Sequence, residues 1–193
     1  MITVSSIPNH IFNSRTHILE DADAPAVWLV DCGDIEKVWE RIGPRPVAGL
    51  LLTHAHFDHI YGIPALLERF PACRVVTNEA GKVALGNAKA NLSRYQDAWI
   101  EVAPEGLLVV REGDSVALFD GVEAAVYETP GHHPSCLTFA ADEYLFTGDA
   151  YIPGEKVITN LPGGNKLLAA ESVERILALS QNKTICPGHG ERL

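Results

Sequence analysis

The sequence predicts an α/β fold in which two sheets pack together with helices outside them. Strand-like and helix-like segments alternate in the first half, the second half is richer in strands, and one helix and one strand close the chain. With 193 residues and 47% hydrophobic content, the chain can bury one good-sized core. Because no repeat or linker interrupts this pattern, we expect residues 1–193 to form a single domain.

The first half of the chain alternates predicted strands and helices. Short apolar runs predict buried strands at 26–33, 47–54 and 73–78. Helical patterns follow each of them, at 34–43, 63–70 and 79–99. Asp34 is a candidate N-cap of the first helix and Gly43 lies at its end, while Pro64 is tolerated in the first turn of the second. Trp99 closes the third helical segment.

The second half of the chain is dominated by strands. They are predicted at 107–110, 115–119, 122–129, 136–141, 143–149 and 183–188. The pattern at 167–180 predicts a helix whose apolar face includes Leu168, Val173 and Ile176. A two-sheet arrangement accommodates this order of elements.

Charge and composition exclude several classes of function. The formal net charge of −10 gives no general attraction to nucleic acids or anionic membranes, so we expect neither as a partner. The start of the chain lacks a secretory-signal pattern, and no apolar run is long enough to span a membrane. The four cysteines form no CxxC pair and do not resemble a disulfide framework, so we expect a cytoplasmic protein. The sequence does not indicate an oligomeric state.

The segment LLTHAHFDHIYG, residues 51–62, concentrates metal-ligand side chains in His54, His56, Asp58 and His59. A helix would point the first two about 200° apart, whereas a strand points residues i and i+2 to the same side. The chain must then turn, because the adjacent Asp58 and His59 would point oppositely in an extended chain. A strand that ends in a helix start can aim all four side chains into one pocket, and this suits two adjacent metals better than one. A chance His-rich surface loop is a weak competitor.

Three later segments carry further ligand types at the ends of predicted strands. His132 follows a strand and a Pro-Gly turn, Asp149 follows Gly148, and His189 follows Gly188. Glycine allows the backbone to bend sharply beside a crowded site. A lone histidine after a strand is more often structural, but repeated placement at strand ends favours a metal cluster.

These segments together resemble the metallo-β-lactamase-fold hydrolase superfamily. The matching pieces, in the order of that family, are VDCG (30–33), THAHFDH (53–59), PGHH (130–133), TGDA (147–150) and PGHG (187–190). They extend over nearly the whole chain, and their combination is highly specific. The resemblance implies a four-layer αβ/βα sandwich with the active site at the edge of the two sheets.

The resemblance also implies roles for individual residues. The implied ligands are His54, His56 and His132 for one metal and Asp58, His59 and His189 for the other. Asp149 would bridge the two ions, and Asp31 would orient ligands by hydrogen bonds from outside the ligand set. Ligands of nitrogen and oxygen suit zinc and tolerate iron or manganese, so two Zn²⁺ ions are the expected cofactors.

The ligand types also indicate a branch of the family. Secreted zinc β-lactamases of the best-known kind have a cysteine where Asp149 stands, so the chain is more similar to glyoxalase II, the lactonases and the tRNA-processing nucleases. We expect it to lack the helical domain that usually follows in glyoxalase II. The expected function is a dinuclear hydrolase in which a metal-bridging hydroxide, assisted by Asp58, attacks a small ester, thioester or lactone. The alternatives are a phosphodiesterase or ribonuclease, an iron-dependent sulfur dioxygenase and a binding protein without activity.

Four features outside the ligand set are candidates for substrate contact or support. His133 stands where relatives often have a small hydroxyl residue, and could support a ligand, contact substrate or face solvent. Tyr151 could bind a substrate oxygen or pack in the core. Lys166, in the Gly-rich stretch 160–166, could receive a carboxylate or phosphate, or the stretch could be an ordinary solvated loop. The sequence does not indicate whether this stretch or 79–99 lines the pocket.

Overall fold

The computed structural model describes residues 1–96 and 99–190 and contains two sheets. The first sheet has six strands in chain order: β1 Thr3–Pro8, β2 Arg15–Glu20, β3 Val27–Val30, β4 Val47–Leu51, β5 Arg74–Thr77 and β6 Leu107–Val109. Strands β1 to β3 pair antiparallel, and β3 to β6 pair parallel. The parallel half therefore brings the carboxyl ends of its strands to one edge of the sheet.

The second sheet has five strands. They are β7 Ser115–Phe119, β8 Val122–Glu128, β9 Leu137–Ala141, β10 Tyr144–Gly148 and β11 Thr184–Pro187. Strands β7 to β10 form an antiparallel meander, and β11 pairs parallel with β10 at the edge. Both β10 and β11 therefore end at the same edge of the sheet.

Within the described residues, five helices connect or flank the strands. They are α1 Ile35–Ile42, α2 Phe57–Ile60, α3 Ile63–Arg69, α4 Glu79–Leu85 and α5 Lys166–Leu179, with a short 3₁₀ helix at Ser93–Tyr95. Asn78 caps α4 and Asn165 caps α5, each through a side-chain oxygen that accepts backbone N–H groups. None of the helices in the described ranges is long and apolar enough to cross a membrane.

The side chains of the buried strands divide the molecule into four layers. In β3, Val27 and Leu29 pack with the buried faces of α1 and α3, whereas Trp28 and Val30 face the second sheet. The indole Nε1–H of Trp28 crosses between the sheets and donates to the Leu118 carbonyl at 2.8 Å. On the far side, residues of the second sheet pack against Ile176 of α5. The layers are thus helices, sheet, sheet and helix, as the sequence predicted.

The structure corrects the sequence-based boundaries in two places. No strand was predicted before residue 26, yet β1 and β2 form a hairpin at the edge of the first sheet. The helix predicted at 79–99 ends at Leu85, and the chain continues irregularly to the short 3₁₀ helix. In this irregular segment, the buried Asn91 side-chain amide donates to the carbonyls of Ala84 and Ile100 and so ties the end of α4 to the chain that follows. Residues 97 and 98 of that prediction lie outside the described residues.

Candidate metal centre

The ends of five strands deliver the candidate ligands to one edge of the two sheets. Asp31 follows β3, His132 follows β8 and Asp149 follows β10. His189 follows β11, where Ser14 pairs with it across an isolated β-bridge. His54 and His56 come after β4. Strand ends of both sheets therefore meet at this edge.

A short turn from strand to helix aims the side chains of 54–59. His56 is extended (φ −76°, ψ 151°) and immediately precedes α2, so Asp58 and His59 lie in the first turn of that helix. The four candidate ligands of this segment, His54, His56, Asp58 and His59, are each at least nine-tenths buried. The local conformation is the strand end followed by a helix start that the spacing predicted.

Three histidines, His54, His56 and His132, form a group that we call the histidine group. His132 Nε2 lies 2.9 Å from His56 Nδ1, and the His54 ring lies 4.8 Å and 5.0 Å from the two other rings. The Nδ1–H of His132 donates to the Ile158 carbonyl at 2.8 Å, which directs its Nε2 into the group. The Nε2 atoms of His54 and His56 are buried without a hydrogen-bond partner among the described residues.

Asp58, His59 and His189 form a second group, which we call the aspartate group. His189 Nε2 lies 3.2 Å from Asp58 Oδ2 and 3.2 Å from His59 Nε2. The Nδ1–H of His189 donates to the Phe12 carbonyl at 2.9 Å, so its Nε2 faces the group. Three potential ligand atoms thus converge here as well.

Asp149 lies between the two groups. Its Oδ1 is 3.4 Å from His59 Nε2, and its Oδ2 is 3.3 Å from His189 Nε2 and 3.6 Å from His132 Nε2. Oδ1 is buried without a hydrogen-bond partner among the described residues. Gly188 makes this approach possible, because a Cβ at that position would come within 2.3 Å of Asp149 Oδ1.

Asp31 organises both groups from behind. Its Oδ2 accepts the His59 Nδ1–H at 2.8 Å and the Thr53 hydroxyl at 2.7 Å, and its Oδ1 accepts the Thr53 backbone N–H at 2.8 Å. The Thr53 hydroxyl oxygen in turn accepts the His54 Nδ1–H at 3.2 Å. Asp31, His54 and His59 also lie close enough to form a ligand set. The hydrogen bonds that occupy Asp31 place it in a supporting role instead.

The two groups differ in protonation. Burial and the neighbouring histidine charges hold the pKa of His54 well below its usual range and lower the pKa of His56 to about 3. Burial acts in the same direction on His59 and His189, but nearby carboxylates outweigh it. They raise the pKa of His59 well above its usual range and that of His189 to about 9. The histidine charges overcome burial at Asp58 and hold its pKa far below the usual range.

The arrangement fits metal binding on its own chemistry. Buried imidazole nitrogens and a buried carboxylate oxygen without partners are costly unless something binds them. The donor set is nitrogen and oxygen, which suits zinc and also iron or manganese. The Nδ1–H groups of four histidines have carbonyl, carboxylate or hydroxyl acceptors, which is the usual support for Nε2 ligation: they belong to His54, His59, His132 and His189.

His133 is buried and does not face solvent, which excludes one of the three sequence-based possibilities. It is 6% exposed, and its ring packs edge-on against His56 at 4.7 Å between centroids. Its Nδ1 accepts the Ser135 hydroxyl at 2.6 Å, and the same oxygen accepts the Ala55 N–H at 3.0 Å. Burial and then His132 lower the pKa of His133 to about 4, so this ring is neutral. It supports the histidine group from the side.

Tyr151 and Lys166 lie apart from the cluster. Tyr151 is half-buried against a small apolar cluster that includes Leu145 and Ile176. Lys166 is exposed at the first turn of α5. The stretch 160–166 does not line the cavity, but the Asn165 N–H donates to the Gly131 carbonyl at 2.8 Å and so buttresses the turn before His132.

A cavity of about 780 Å³ opens in front of the cluster and reaches His132, Asp149 and His189. Two segments that the sequence analysis did not single out form its walls. One is the hairpin tip, residues 9–14 between β1 and β2, and the other is the lining loop, residues 152–158. Nothing in their composition resembles a motif, so only the contacts across the fold reveal them.

The hairpin tip also holds the aspartate group in place. The Ser14 hydroxyl donates to the Asp58 carbonyl at 2.7 Å. The Arg15 N–H donates to the Gly188 carbonyl at 2.7 Å, and the Phe12 carbonyl accepts from His189. This hairpin is thus both a wall of the cavity and a support of the centre.

Fold and site together define a protein of the metallo-β-lactamase class. The model of the metallo-beta-lactamase superfamily matches residues 21–189, and the chain belongs to this family. The crystal structure of the BLEG-1 B3 metallo-beta-lactamase superposes with a TM-score of 0.86 at 26% identity, over 98% of this chain and 92% of that one. TTHA1623 in a di-iron-bound form gives a TM-score of 0.79 at 25% identity, over 97% and 92% of the two chains. The predicted fold is confirmed.

Among sequence relatives, a hydroxyacylglutathione hydrolase of Xylella fastidiosa (strain M12) is 34% identical over 165 residues. The match covers 83% of this chain and 54% of the relative, so the chain spans about half the length of that enzyme. Family and relatives suggest a metal-dependent hydrolase. The reaction itself is a matter for proposal.

Proposed function

We propose that this protein is a dinuclear metal-dependent hydrolase that cleaves a small ester, thioester or lactone. One observation carries the proposal: the histidine group and the aspartate group lie side by side, with Asp149 within 3.3–3.6 Å of ring nitrogens of both. A single tetrahedral site cannot use seven ligand side chains. The relationship to a hydroxyacylglutathione hydrolase supports an ester or thioester as the substrate class.

The chain's own residues supply positioning and proton handling. Two ions held here would lower the pKa of a water molecule and polarise the oxygen of the substrate carbonyl. Asp149 would hold both ions, and the hydrogen bonds to the Nδ1 atoms would keep the imidazoles in the ligating tautomer. Despite burial, the neighbouring histidine charges keep the Asp58 carboxylate ionised, so it would accept a hydrogen bond from the attacking water and orient it.

Several finer features belong to the same proposal. Zinc is the metal we propose at both positions, since the ligand set is nitrogen and oxygen. The net charge of −10 supports a small-molecule substrate over a nucleic acid. The four cysteines are buried and free, which supports a reducing cytoplasmic location for a protein that we propose is one domain.

Metal content is the first test. We expect elemental analysis of the desalted protein to give close to two transition-metal ions per chain. Full activity at one ion or fewer per chain would contradict the dinuclear mechanism. One iron per chain, with oxygen-dependent oxidation of a persulfide, would assign the protein to the sulfur dioxygenases instead.

A substrate panel is the second test. At equal enzyme concentration, a lactoyl thioester, an aryl ester, a lactone, nitrocefin and a precursor tRNA would be compared by kcat/KM. We expect an ester, thioester or lactone to rank first. If nitrocefin or the tRNA ranked first, the proposed substrate class would be wrong.

A further inference from the structure

Two exposed apolar side chains flank the centre, one beside each ligand group. Phe12 in the hairpin tip is 67% exposed and Ile158 in the lining loop is 53% exposed, and both line the cavity. The Phe12 carbonyl accepts from His189, and the Ile158 carbonyl accepts from His132. Each residue therefore holds a candidate ligand with its backbone and leaves its side chain at the cavity.

The backbone conformation of the hairpin tip supports a functional role for the Phe12 side chain. Phe12 (φ +52°) and Asn13 (φ +54°) both adopt the left-handed conformation. Asparagine tolerates this region, but a bulky aromatic residue seldom occupies it. Strain of this kind is retained where the surrounding structure fixes it, and it occurs often at ligand-binding sites. Here it turns an aromatic ring outward, at the mouth of a cavity, without burying it.

The remaining walls of the cavity are mainly apolar and carry balanced charge. The lining loop contributes Ile152, Pro153 and Val157 in addition to Ile158. Apart from the side chains of the centre, the charged residues that line the cavity in the described part of the chain are Glu155 and Lys156. Because these two formal charges cancel, the walls do not favour a strongly charged substrate.

We infer that Phe12 and Ile158 are specificity-determining residues that bind an apolar acyl group beside the scissile carbonyl. The inference rests on the proposed ester or thioester hydrolysis and narrows its substrate class to neutral compounds with a medium-length alkyl or aryl acyl chain. An acyl chain in this cavity would cover the two exposed side chains and remove apolar surface from water.

The test measures kcat/KM of the metal-loaded protein on acetyl, butyryl and hexanoyl esters of one phenol. Full burial of a methylene corresponds to about fourfold in affinity, so we expect a rise of about twofold to fourfold per methylene. In Phe12→Ala and in Ile158→Ala we expect the hexanoyl-to-acetyl ratio to fall at least fivefold, mainly through KM. Metal content should not change, because the substituted residues keep their backbone carbonyls.

Matched controls are available elsewhere on the surface. Tyr95 is 66% exposed and Val83 is 64% exposed, and neither lines the cavity. Tyr95→Ala and Val83→Ala should leave the chain-length ratio unchanged. A flat dependence on chain length, or an equal fall in controls and test variants, would overturn the inference while ester hydrolysis itself stood.

A binding measurement keeps the inference testable if no ester is hydrolysed. Calorimetric titration of the metal-loaded protein with acetate and hexanoate compares the same carboxylate with two chain lengths. We expect hexanoate to bind at least tenfold more tightly, and Phe12→Ala to remove most of that difference. Equal dissociation constants would overturn the inference. Absent turnover with preserved hexanoate preference would overturn only the proposed function.

Discussion

The two ligand groups lie side by side, yet their electrostatic environments are opposite. In the histidine group, burial holds the pKa of His54 well below its usual range and lowers that of His56 to about 3, so these two imidazoles are neutral. In the aspartate group, carboxylates raise the pKa of His189 to about 9 and that of His59 well above the usual range. A neutral imidazole is ready to bind a metal, whereas a protonated one must first lose its proton.

This difference gives the two groups different tasks. In the histidine group, His54 and His56 can bind an ion at neutral pH without releasing protons. In the aspartate group, protonated histidines neutralise the carboxylates when no cation is present, and an entering ion replaces those proton charges. The same carboxylates that make loading dependent on pH stay ionised and can accept a hydrogen bond from the attacking water. The histidine group is thus pre-organised for metal binding, whereas metal binding at the aspartate group is coupled to the release of protons.

The first prediction, Asp58→Ala, tests the aspartate group, where we expect the largest effect on activity. It removes a ligand and the carboxylate proposed to orient the attacking water from the aspartate group, and it leaves the histidine group intact. We expect kcat/KM on the best ester to fall by about 1,000-fold or more, with one ion retained per chain. Elemental analysis and steady-state kinetics measure the two effects, and circular dichroism checks the fold. Near-normal rates would remove Asp58 from the mechanism.

The second prediction concerns metal loading as a function of pH. Protonation of His189 competes with metal below its pKa of about 9, and the raised pKa of His59 adds a second competing proton, so affinity at the aspartate group should fall at least tenfold per pH unit between pH 9 and pH 7. Affinity at the histidine group should depend less on pH in this range, because the pKa of His54 lies well below its usual range and that of His56 lies near 3. Titration with zinc in a competing chelator at several pH values measures both. An equal dependence of metal affinity on pH at the two groups would contradict the difference in protonation between them.

The sequence predicted much of the centre because most of its ligands share local patterns. His54 to His59 form one run of six residues, and His132, Asp149 and His189 each follow a glycine within a few residues of a strand end. Spacing within such a run determines which side chains can point the same way. The layer order was also predictable, since apolar runs and helical patterns alternate along the chain.

The supports of the centre could not be predicted, because they depend on contacts between distant segments. The Phe12 carbonyl binds a histidine 177 residues later, and the Ser14 hydroxyl binds the Asp58 carbonyl 44 residues later. The strand β1 was missed because TVSSIP is polar and mostly half-exposed. The inward placement of His133 likewise depends on Ser135 and the ring of His56, which no spacing rule connects to it.

The third prediction uses Asp31, which bonds directly to the aspartate group and only indirectly to the histidine group. Asp31→Asn keeps the shape and tolerates the left-handed backbone (φ +56°) but removes the charge beside His59. We expect metal affinity at the aspartate group to fall 10- to 100-fold and affinity at the histidine group to change less. The exposed Asp120→Asn serves as the control. A larger loss at the histidine group would contradict the assigned connection.

The fourth prediction, Thr53→Val, has the smallest expected effect and tests the histidine group. The Thr53 hydroxyl is the acceptor for the buried His54 Nδ1–H, and its loss leaves that donor unpaired at a cost of about 1–3 kcal/mol. Part of this cost should appear as weaker binding at the histidine group, by about tenfold. Asp31 retains its bond from His59, so the aspartate group should change little.

The two groups can be measured separately for this variant. At pH 6 the aspartate group should bind metal weakly, so a chelator titration reports on the histidine group alone. At pH 9 both groups contribute. Thr53→Ser keeps the hydroxyl and should bind metal as the unsubstituted protein does. If Thr53→Val weakened both groups equally, the hydroxyl would not act specifically on His54. If Thr53→Ser weakened the histidine group as much as Thr53→Val, packing of the methyl group that serine lacks would explain the loss instead.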